Sequence, residues 1–182
     1  MKSPVLIIGI GNPDRGDDAV GVIVAQRLRQ RLPAQVPILQ TTGDPGFLLE
    51  AWQTAETVIL IDAVQSGAPP GTIHRLDAHE SPLPANFFRC STHALGLPEA
   101  IELARALNLS RSEQDQSRPG RDKSRSERDE LPPQLIVYGI EAKDFTAGTG
   151  LSVPVEQAAD QLVDTVCCAH DCIGQAARAV VP

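Results

Sequence analysis

The sequence predicts an α/β fold: a single domain built on a twisted, mainly parallel five-stranded sheet with helices on both faces. Short apolar runs alternate along the chain with longer segments whose apolar residues recur at helical spacing. The strand-like runs are apolar almost throughout, which is typical of strands covered on both faces. The chain has 182 residues, 42% of them hydrophobic and 3% aromatic, and so matches one domain with an aliphatic core.

The first half of the chain is expected to form three strands and two helices. The expected strands span residues 4–10, 36–40 and 57–63, and the expected helices span 18–32 and 43–55. In the second helix, Asp44 is expected to cap the amino end and Pro45 to occupy the first helical position, where proline is well tolerated.

The second half is expected to add two strands and two helices. Residues 71–77 follow a Gly-Ala-Pro-Pro-Gly turn and suit an edge strand, 93–107 a helix, 134–140 a buried strand, and 153–181 a long final helix. In sheets of this kind, ligands bind beyond the carboxyl ends of the strands. Functional residues are therefore expected at those ends.

Charge and hydropathy exclude several classes of protein. The formal net charge of −7 argues against a nucleic-acid surface, which needs an excess of Lys and Arg. No apolar run is long enough to span a membrane, and the amino terminus lacks a cleavable signal pattern. We therefore expect a cytoplasmic monomer whose four cysteines (Cys90, Cys167, Cys168 and Cys172) are reduced.

One segment does not fit the core. Residues 110–130 contain six basic and six acidic side chains and no hydrophobic one. Such a stretch cannot bury enough apolar surface to offset the entropy lost on ordering. We expect a disordered insertion in a surface loop, and its balanced charges favour a solvated loop over a tether for a partner.

Acidic residues and a histidine occupy the expected strand ends. Asp17 and Asp18 follow the first strand, Asp62 ends the third, and His93 stands at the start of the third long helix. If the first and third strands are neighbours, Asp18 and Asp62 meet at one edge of the sheet, where His93 can join them. Two carboxylates and an imidazole are a plausible ligand set for nickel or zinc.

Simpler roles exist for each of these residues. For Asp17 we favour capping of the first helix, where a negative charge is stabilised. Asp62 could cap a turn, but an unpaired carboxylate after an apolar strand is costly, so a functional role is favoured. His93 alone could be an ordinary residue at the start of a helix. It is a candidate ligand only because Asp18 and Asp62 are expected nearby.

Two other local patterns are poor candidates for cofactor sites. The glycine turn after the first strand has Asp14 where a dinucleotide-binding motif needs glycine, and it lacks the ending of a P-loop. Near the carboxyl terminus, helical spacing places Cys168 and Cys172 on one flank of the apolar stripe and Cys167 and His170 on the other. Tetrahedral ligands of zinc must converge, so a structural role for this cluster is favoured.

Three short motifs of the sequence also occur together in a known family. They are G-I-G-N at 9–12 with D-D-A-V-G at 17–21, I-D-A at 61–63, and H-A-L-G-L at 93–97. On the basis of these motifs, the chain resembles the hydrogenase maturation proteases over nearly its whole length. These endopeptidases trim the C-terminal extension from the large subunit of NiFe hydrogenase.

The resemblance implies roles for particular residues. Asp18, Asp62 and His93 would form the catalytic and metal-contacting site, and the nickel would be delivered in the substrate rather than permanently bound. Candidate substrate contacts are Gly11, Asn12 and Gly43. The loop around Gly43 reads T-T-G-D rather than the family's common G-G-T, which puts the contacts there in question.

The implied activity is that of a nickel-dependent endopeptidase of aspartate or metal-assisted type, with the precursor of the NiFe hydrogenase large subunit as its partner. The metal could polarise the scissile carbonyl or lower the pKa of a water molecule. Alternatively, nickel is only a recognition handle and a carboxylate activates water as general base.

Two other functions remain as alternatives. A peptidyl-tRNA hydrolase-like esterase shares the G-x-G-N-P turn at 9–13, but it needs an early histidine and a basic face, and the first histidine here is His74. A non-catalytic nickel-binding maturation chaperone could use the same three ligands. Incubation of the protein with nickel and precursor would separate a chaperone from a protease.

Overall fold

The computed structural model describes residues 3–84, 87–88, 96–116 and 131–178. Its strands are β1 (Ser3–Ile10), β2 (Ile38–Thr41), β3 (Ala55–Val64), β4 (Ile73–Asp77) and β5 (Gln134–Glu141). Its helices are α1 (Val20–Arg31), α2 (Pro45–Ala51), α3 (Leu97–Gln116) and α4 (Val153–Arg178), with short 3₁₀ turns at Gly16–Ala19 and Trp52–Thr54. None of the described helices has the length and apolar composition of a membrane span.

The five strands form one sheet in the order β2-β1-β3-β5-β4. All neighbouring pairs are parallel except β4, which lies antiparallel to β5 at the edge. The predicted fold class and the predicted edge position of β4 are therefore confirmed. From β1 the chain moves to β2 on one side, and it returns to β3 on the other, so the strand order reverses between β1 and β3. Crevices at such reversals are the usual ligand sites of open α/β sheets.

Helices cover both faces of the sheet, and each face has its own aliphatic cluster. On one face α1 and α4 pack through residues such as Val24, Leu28 and Leu162. On the other face α2 and α3 pack around Trp52 and Ile101, both fully buried. The core is built mainly from aliphatic side chains, as the composition indicates, and includes the buried aromatic residues Trp52 and Phe88.

The start of α2 follows the sequence signals. The Asp44 carboxylate accepts a hydrogen bond of 2.7 Å from the N–H of Phe47, and Pro45 is the first helical residue. The helix then ends earlier than predicted, at Ala51, because the chain passes through a 3₁₀ turn that buries Trp52 before β3 begins.

Two other boundaries differ from the predictions. The first helix, expected from residue 18, is preceded by the 3₁₀ turn that carries Asp17 and Asp18, and α1 begins at Val20. Helix α3 continues to Gln116, seven residues into the segment 110–130, because the Arg, Glu and Gln residues there are good helix formers. The rest of that segment, 117–130, lies outside the described residues, so the disordered insertion stays a prediction.

Helix α1 meets the sheet at backbone distance through a glycine. A Cβ built on Gly21 would lie 2.2 Å from the carbonyl oxygen of Ile61 and 2.3 Å from that of Ile10. Both contacts are to backbone atoms at the ends of β1 and β3, which cannot rotate away as a side chain could. The absence of a side chain at residue 21 thus sets how closely the start of α1 sits over the two strand ends.

We expect Gly21→Ala to lower the free energy of unfolding by roughly 2 kcal/mol or more, because the added methyl group must push α1 off the strands. Urea denaturation followed by circular dichroism measures this change. Gly150→Ala is the matched control, since a Cβ at Gly150 meets no atom within 4 Å, and it should change stability by less than about 0.5 kcal/mol. Equal effects of the two substitutions would contradict the close-packing argument.

Candidate functional site

Two of the predicted site residues lie together at the carboxyl ends of β1 and β3. These strands are direct neighbours, paired from Ser3 with Ala55 to Gly9 with Ile61. Asp62 is the next residue of β3, and Asp18 lies in the 3₁₀ turn that follows β1. Both are buried, and the negative charge of Asp18 acts on Asp62. The expected meeting of the two carboxylates at one edge is confirmed, whereas His93 lies outside the described residues.

Asp62 is a carboxyl group in an apolar setting. Burial raises its pKa to about 8; the N–H of Ala63 opposes this shift, and the charge of Asp18 adds to it. The Ala63 N–H lies 2.8 Å from Asp62 Oδ1. Without a nearby cation, Asp62 therefore keeps its proton at neutral pH.

Asp18 is less isolated than Asp62. Burial raises its pKa, while the positive charge of Arg15 and the backbone N–H of Asn12 lower it. The Arg15 guanidinium lies 4.0 Å from Asp18 Oδ2 and also packs over the ring of Phe145, 5.5 Å from its centroid. Asp18 thus has a neighbouring cation that Asp62 lacks within the described part of the chain.

The three candidate substrate contacts all shape loops beside this pair. Gly11 has φ +142°, and a Cβ there would lie 1.8 Å from the backbone oxygen of Asp18. The side-chain oxygen of Asn12 accepts a hydrogen bond of 3.0 Å from the N–H of Asp14. Gly43, with φ +101°, donates its N–H to Thr41 Oγ1 at 3.2 Å. Their structural roles are clear, and substrate contact at these positions stays a prediction.

The predicted role of Asp17 as a helix cap is wrong. The 3₁₀ turn that contains it has no side-chain cap, and Asp17 is fully buried. Its carboxylate accepts hydrogen bonds from the N–H groups of Lys143 (2.8 Å), Asp144 (2.9 Å) and Ser152 (2.6 Å), and from Ser152 Oγ (2.9 Å). Asp17 therefore fastens the loop between β5 and α4 to the turn that carries Asp18.

A fourth buried carboxylate, that of Glu141 at the end of β5, was not among the predicted site residues. It accepts hydrogen bonds from Ser66 N–H (3.1 Å), Ser66 Oγ (2.8 Å) and Gly67 N–H (2.9 Å), and His74 Nε2 lies 3.4 Å away. Burial alone would raise its pKa, but these donors outweigh burial and lower it. Glu141 thus holds the segment that follows β3. The signal was present, since a lone acid ends an apolar strand, as at Asp62.

No group of three or more His, Cys, Asp or Glu side chains converges on a metal-sized space among the residues that the structure describes. Asp18 and Asp62 suit a divalent cation by their chemistry, since two neighbouring carboxylates repel each other and attract positive charge. In the carboxyl-terminal cluster, Cys167 is half-buried and Cys168 exposed, while the side chains of His170 and Cys172 lie outside the description.

Comparison with known proteins identifies the family. The family model described as hydrogenase maturation protease matches residues 22–113. The chain belongs to the hydrogenase maturation protease family. A putative hydrogenase maturation protease of Methanocaldococcus jannaschii is 26% identical over 171 residues, which cover 91% of this chain and 95% of the relative.

The share of the relative that this chain matches differs from one relative to another. The hydrogenase expression/formation protein HupD of Thiocapsa roseopersicina is 30% identical over 57% of this chain and 48% of its own length, so this chain spans about half of that relative. The hydrogenase maturating endopeptidase HybD of Escherichia coli is 25% identical and superimposes with a TM-score of 0.62 over 90% of this chain and 89% of HybD. This hydrogenase maturation protease family member therefore shares the HybD fold along most of its length.

Removing Asp17 should cost far more than removing a helix cap. Asp17→Ala leaves three N–H groups of the β5–α4 loop and the Ser152 hydroxyl without their acceptor, and we expect a loss of about 3 kcal/mol in the free energy of unfolding. Asp44→Ala removes a true cap and should cost about 1 kcal/mol. Urea denaturation compares the two variants. A loss for Asp17→Ala no larger than that for Asp44→Ala would show that the loop is held by other contacts.

The raised pKa of Asp62 predicts how stability changes with pH. The ordinary pKa of this side chain is 3.8, so above about pH 4 the unfolded chain has lost the proton. The folded protein keeps it up to about pH 8. Asp62 therefore destabilises the fold increasingly as pH rises through this window. Asp62→Asn cannot ionise, so its stability relative to wild type should rise from near zero at pH 4 to a few kcal/mol at pH 8.

Urea unfolding in EDTA at several pH values measures this difference. Asp14→Asn, which changes an exposed carboxyl on the turn that follows β1, is the control for the change in net charge and should not show the trend. A stability difference for Asp62→Asn that stays constant with pH would contradict the proposed protonation of Asp62.

Proposed function

We propose that this chain is an endopeptidase that removes the C-terminal extension from the nickel-loaded precursor of a NiFe hydrogenase large subunit. Family membership supports this proposal. The observation that carries it is the pair of buried carboxylates, Asp18 and Asp62, placed where the strand order reverses between β1 and β3. A crevice at that position is where an α/β sheet accepts a ligand.

In this proposal the nickel is part of the substrate. Asp18, Asp62 and His93 would contact the metal that the precursor brings, with the nickel supplying Lewis acidity near the scissile peptide bond. Carboxylate and imidazole groups are suitable ligands for nickel. Because the precursor holds the metal by its own ligands, the protease needs no permanent metal of its own.

The chain's own residues have distinct tasks in such a site. A carboxyl group with a pKa of about 8, as at Asp62, exchanges its proton near neutral pH, which suits a general acid or base. Asp62 would first lose its resting proton to solvent, which a neighbouring cation favours, and its carboxylate would then take a proton from the attacking water and return it to the leaving amine. In the free protein Asp18 is oriented by the N–H of Asn12 and by Arg15, and the buried Asp17 holds the turn in place.

Two observations argue against the esterase alternative. The family assignment and the net charge of −7 both disfavour a peptidyl-tRNA hydrolase-like activity, which needs a basic face for its substrate. A nickel-binding chaperone would use the same carboxylates without turnover, so a cleavage assay separates chaperone from protease.

The test is an incubation of purified large-subunit precursor with this protein, with and without nickel in the precursor. Mass spectrometry follows loss of the C-terminal peptide. We expect catalytic cleavage of the nickel-loaded precursor and none of the metal-free form, because the metal both completes the site and positions the scissile bond. Efficient cleavage of metal-free precursor, or of a bare peptide across the cut, would refute the coupling to nickel.

Three variants sharpen this test on the loaded precursor. Asp18→Ala, Asp62→Ala and His93→Ala should each lower the cleavage rate by about 100-fold or more while the protein stays folded. Asp14→Ala, which removes an exposed carboxyl from the turn after β1, is the matched control and should cleave normally. Activity that survives the loss of Asp62 would show that the chemistry lies elsewhere.

A further inference from the structure

The Arg15 side chain lies beside Asp18, one member of the carboxylate pair. Its guanidinium lies 4.0 Å from Asp18 Oδ2. The Arg15 side chain is 35% exposed, whereas that of Asp18 is 9% exposed. The positive charge is therefore more accessible to water than the largely buried acid beside it.

The same guanidinium has a second neighbour. It packs over the Phe145 ring, 5.5 Å from the centroid, and Phe145 belongs to the loop that Asp17 fastens through Lys143 and Asp144. Cation–π contacts and partly exposed ion pairs are both weak interactions. The aromatic ring offers the guanidinium a place to remain if the ion pair with Asp18 is broken.

The backbone of Arg15, in contrast, builds the turn. Its N–H donates to the carbonyl oxygen of Asn12 at 3.2 Å, and its own carbonyl oxygen accepts from the N–H of Asp18 at 3.1 Å. These bonds do not depend on the side chain. The guanidinium can therefore be replaced without removing the hydrogen bonds that place Asp18.

We propose that Arg15 is a tethered cation that balances Asp18 in the free protein and so lowers the affinity of the carboxylate pair for free divalent metal ions. This inference rests on the proposed function, in which Asp18 contacts the metal of the substrate. A metal already bound by the precursor displaces the guanidinium, because the precursor's own ligands hold the ion in place. A free ion must compete with Arg15 unaided.

The physical basis is that a guanidinium cannot give up its charge. Arginine stays protonated in proteins, so Arg15 can only move aside when a second cation arrives. A divalent ion on the Asp18 carboxylate would meet the guanidinium as a like charge at short range, and it would also break the existing ion pair. Both effects oppose binding of free metal, and neither depends on the identity of the metal.

The experiment is a calorimetric titration of the full chain with nickel(II) alone, at one pH and low ionic strength. Arg15→Gln removes the charge, and Arg15→Lys keeps it. Arg75→Gln, on the exposed side of edge strand β4, produces the same change in net charge away from the site. Each protein is also measured with Asp62→Asn added, and only the binding that this substitution abolishes is counted.

We expect Arg15→Gln to bind nickel roughly fivefold more tightly than wild type, which is the upper end of the effect of one weak ion pair. Arg15→Lys and Arg75→Gln should stay within about twofold of wild type, since the local charge is kept in each. Unchanged or weaker binding by Arg15→Gln would overturn the inference. So would an equal gain with Arg15→Lys, because the effect would then come from side-chain shape rather than charge.

The titration also separates this inference from the proposed function. If Asp62→Asn reduces nickel binding but the Arg15 variants bind nickel as wild type does, only the proposed role of Arg15 is refuted. If Asp62→Asn does not reduce nickel binding in any variant, the proposed metal contact by Asp18 and Asp62 is refuted as well. The proposed dependence of the protease on nickel then fails with it.

Discussion

The backbone contact between α1 and strands β1 and β3 is the constraint on which the site depends. A Cβ on Gly9 would lie 2.2 Å from the oxygen of Gly21, and one on Gly21 would lie 2.2 Å from the oxygen of Ile61. Helix and sheet therefore touch through glycines on both sides. This contact draws the turn before α1 onto the end of β3, so that Asp18 and Asp62 become neighbours.

Bringing two carboxylates together in a buried place creates an electrostatic problem that the surrounding residues solve in different ways. Two charged acids at close range are mutually destabilising, so one of them keeps a proton or gains a cation. Here burial leaves Asp62 protonated at neutral pH, and Arg15 stands beside Asp18. Asp17 and Glu141 are also buried, but their several hydrogen-bond donors stabilise them in place. The site at rest is thus close to charge balance.

Most of the fold could be predicted from the sequence because its signals are local. Apolar runs located the strands, and Asp44 before Pro45 located the start of α2. The placement of Asp62 came from one acid at the end of an apolar strand, and Glu141 carried the same signal without being selected. Asp17 could not be interpreted correctly, because its partners lie 126 to 135 residues later in the chain and a sequence shows only the nearby helix start.

The direction of β5 has a consequence for how this protein can be labelled. Because β5 runs parallel to β1 and β3, its amino end lies at the opposite end of the strands from Asp18 and Asp62. The chain leaves α3 at Gln116 and re-enters the described structure at Leu131, just ahead of that end. A reporter dye attached to the exposed Gln134, the first residue of β5, would therefore lie a full strand length from the carboxylates.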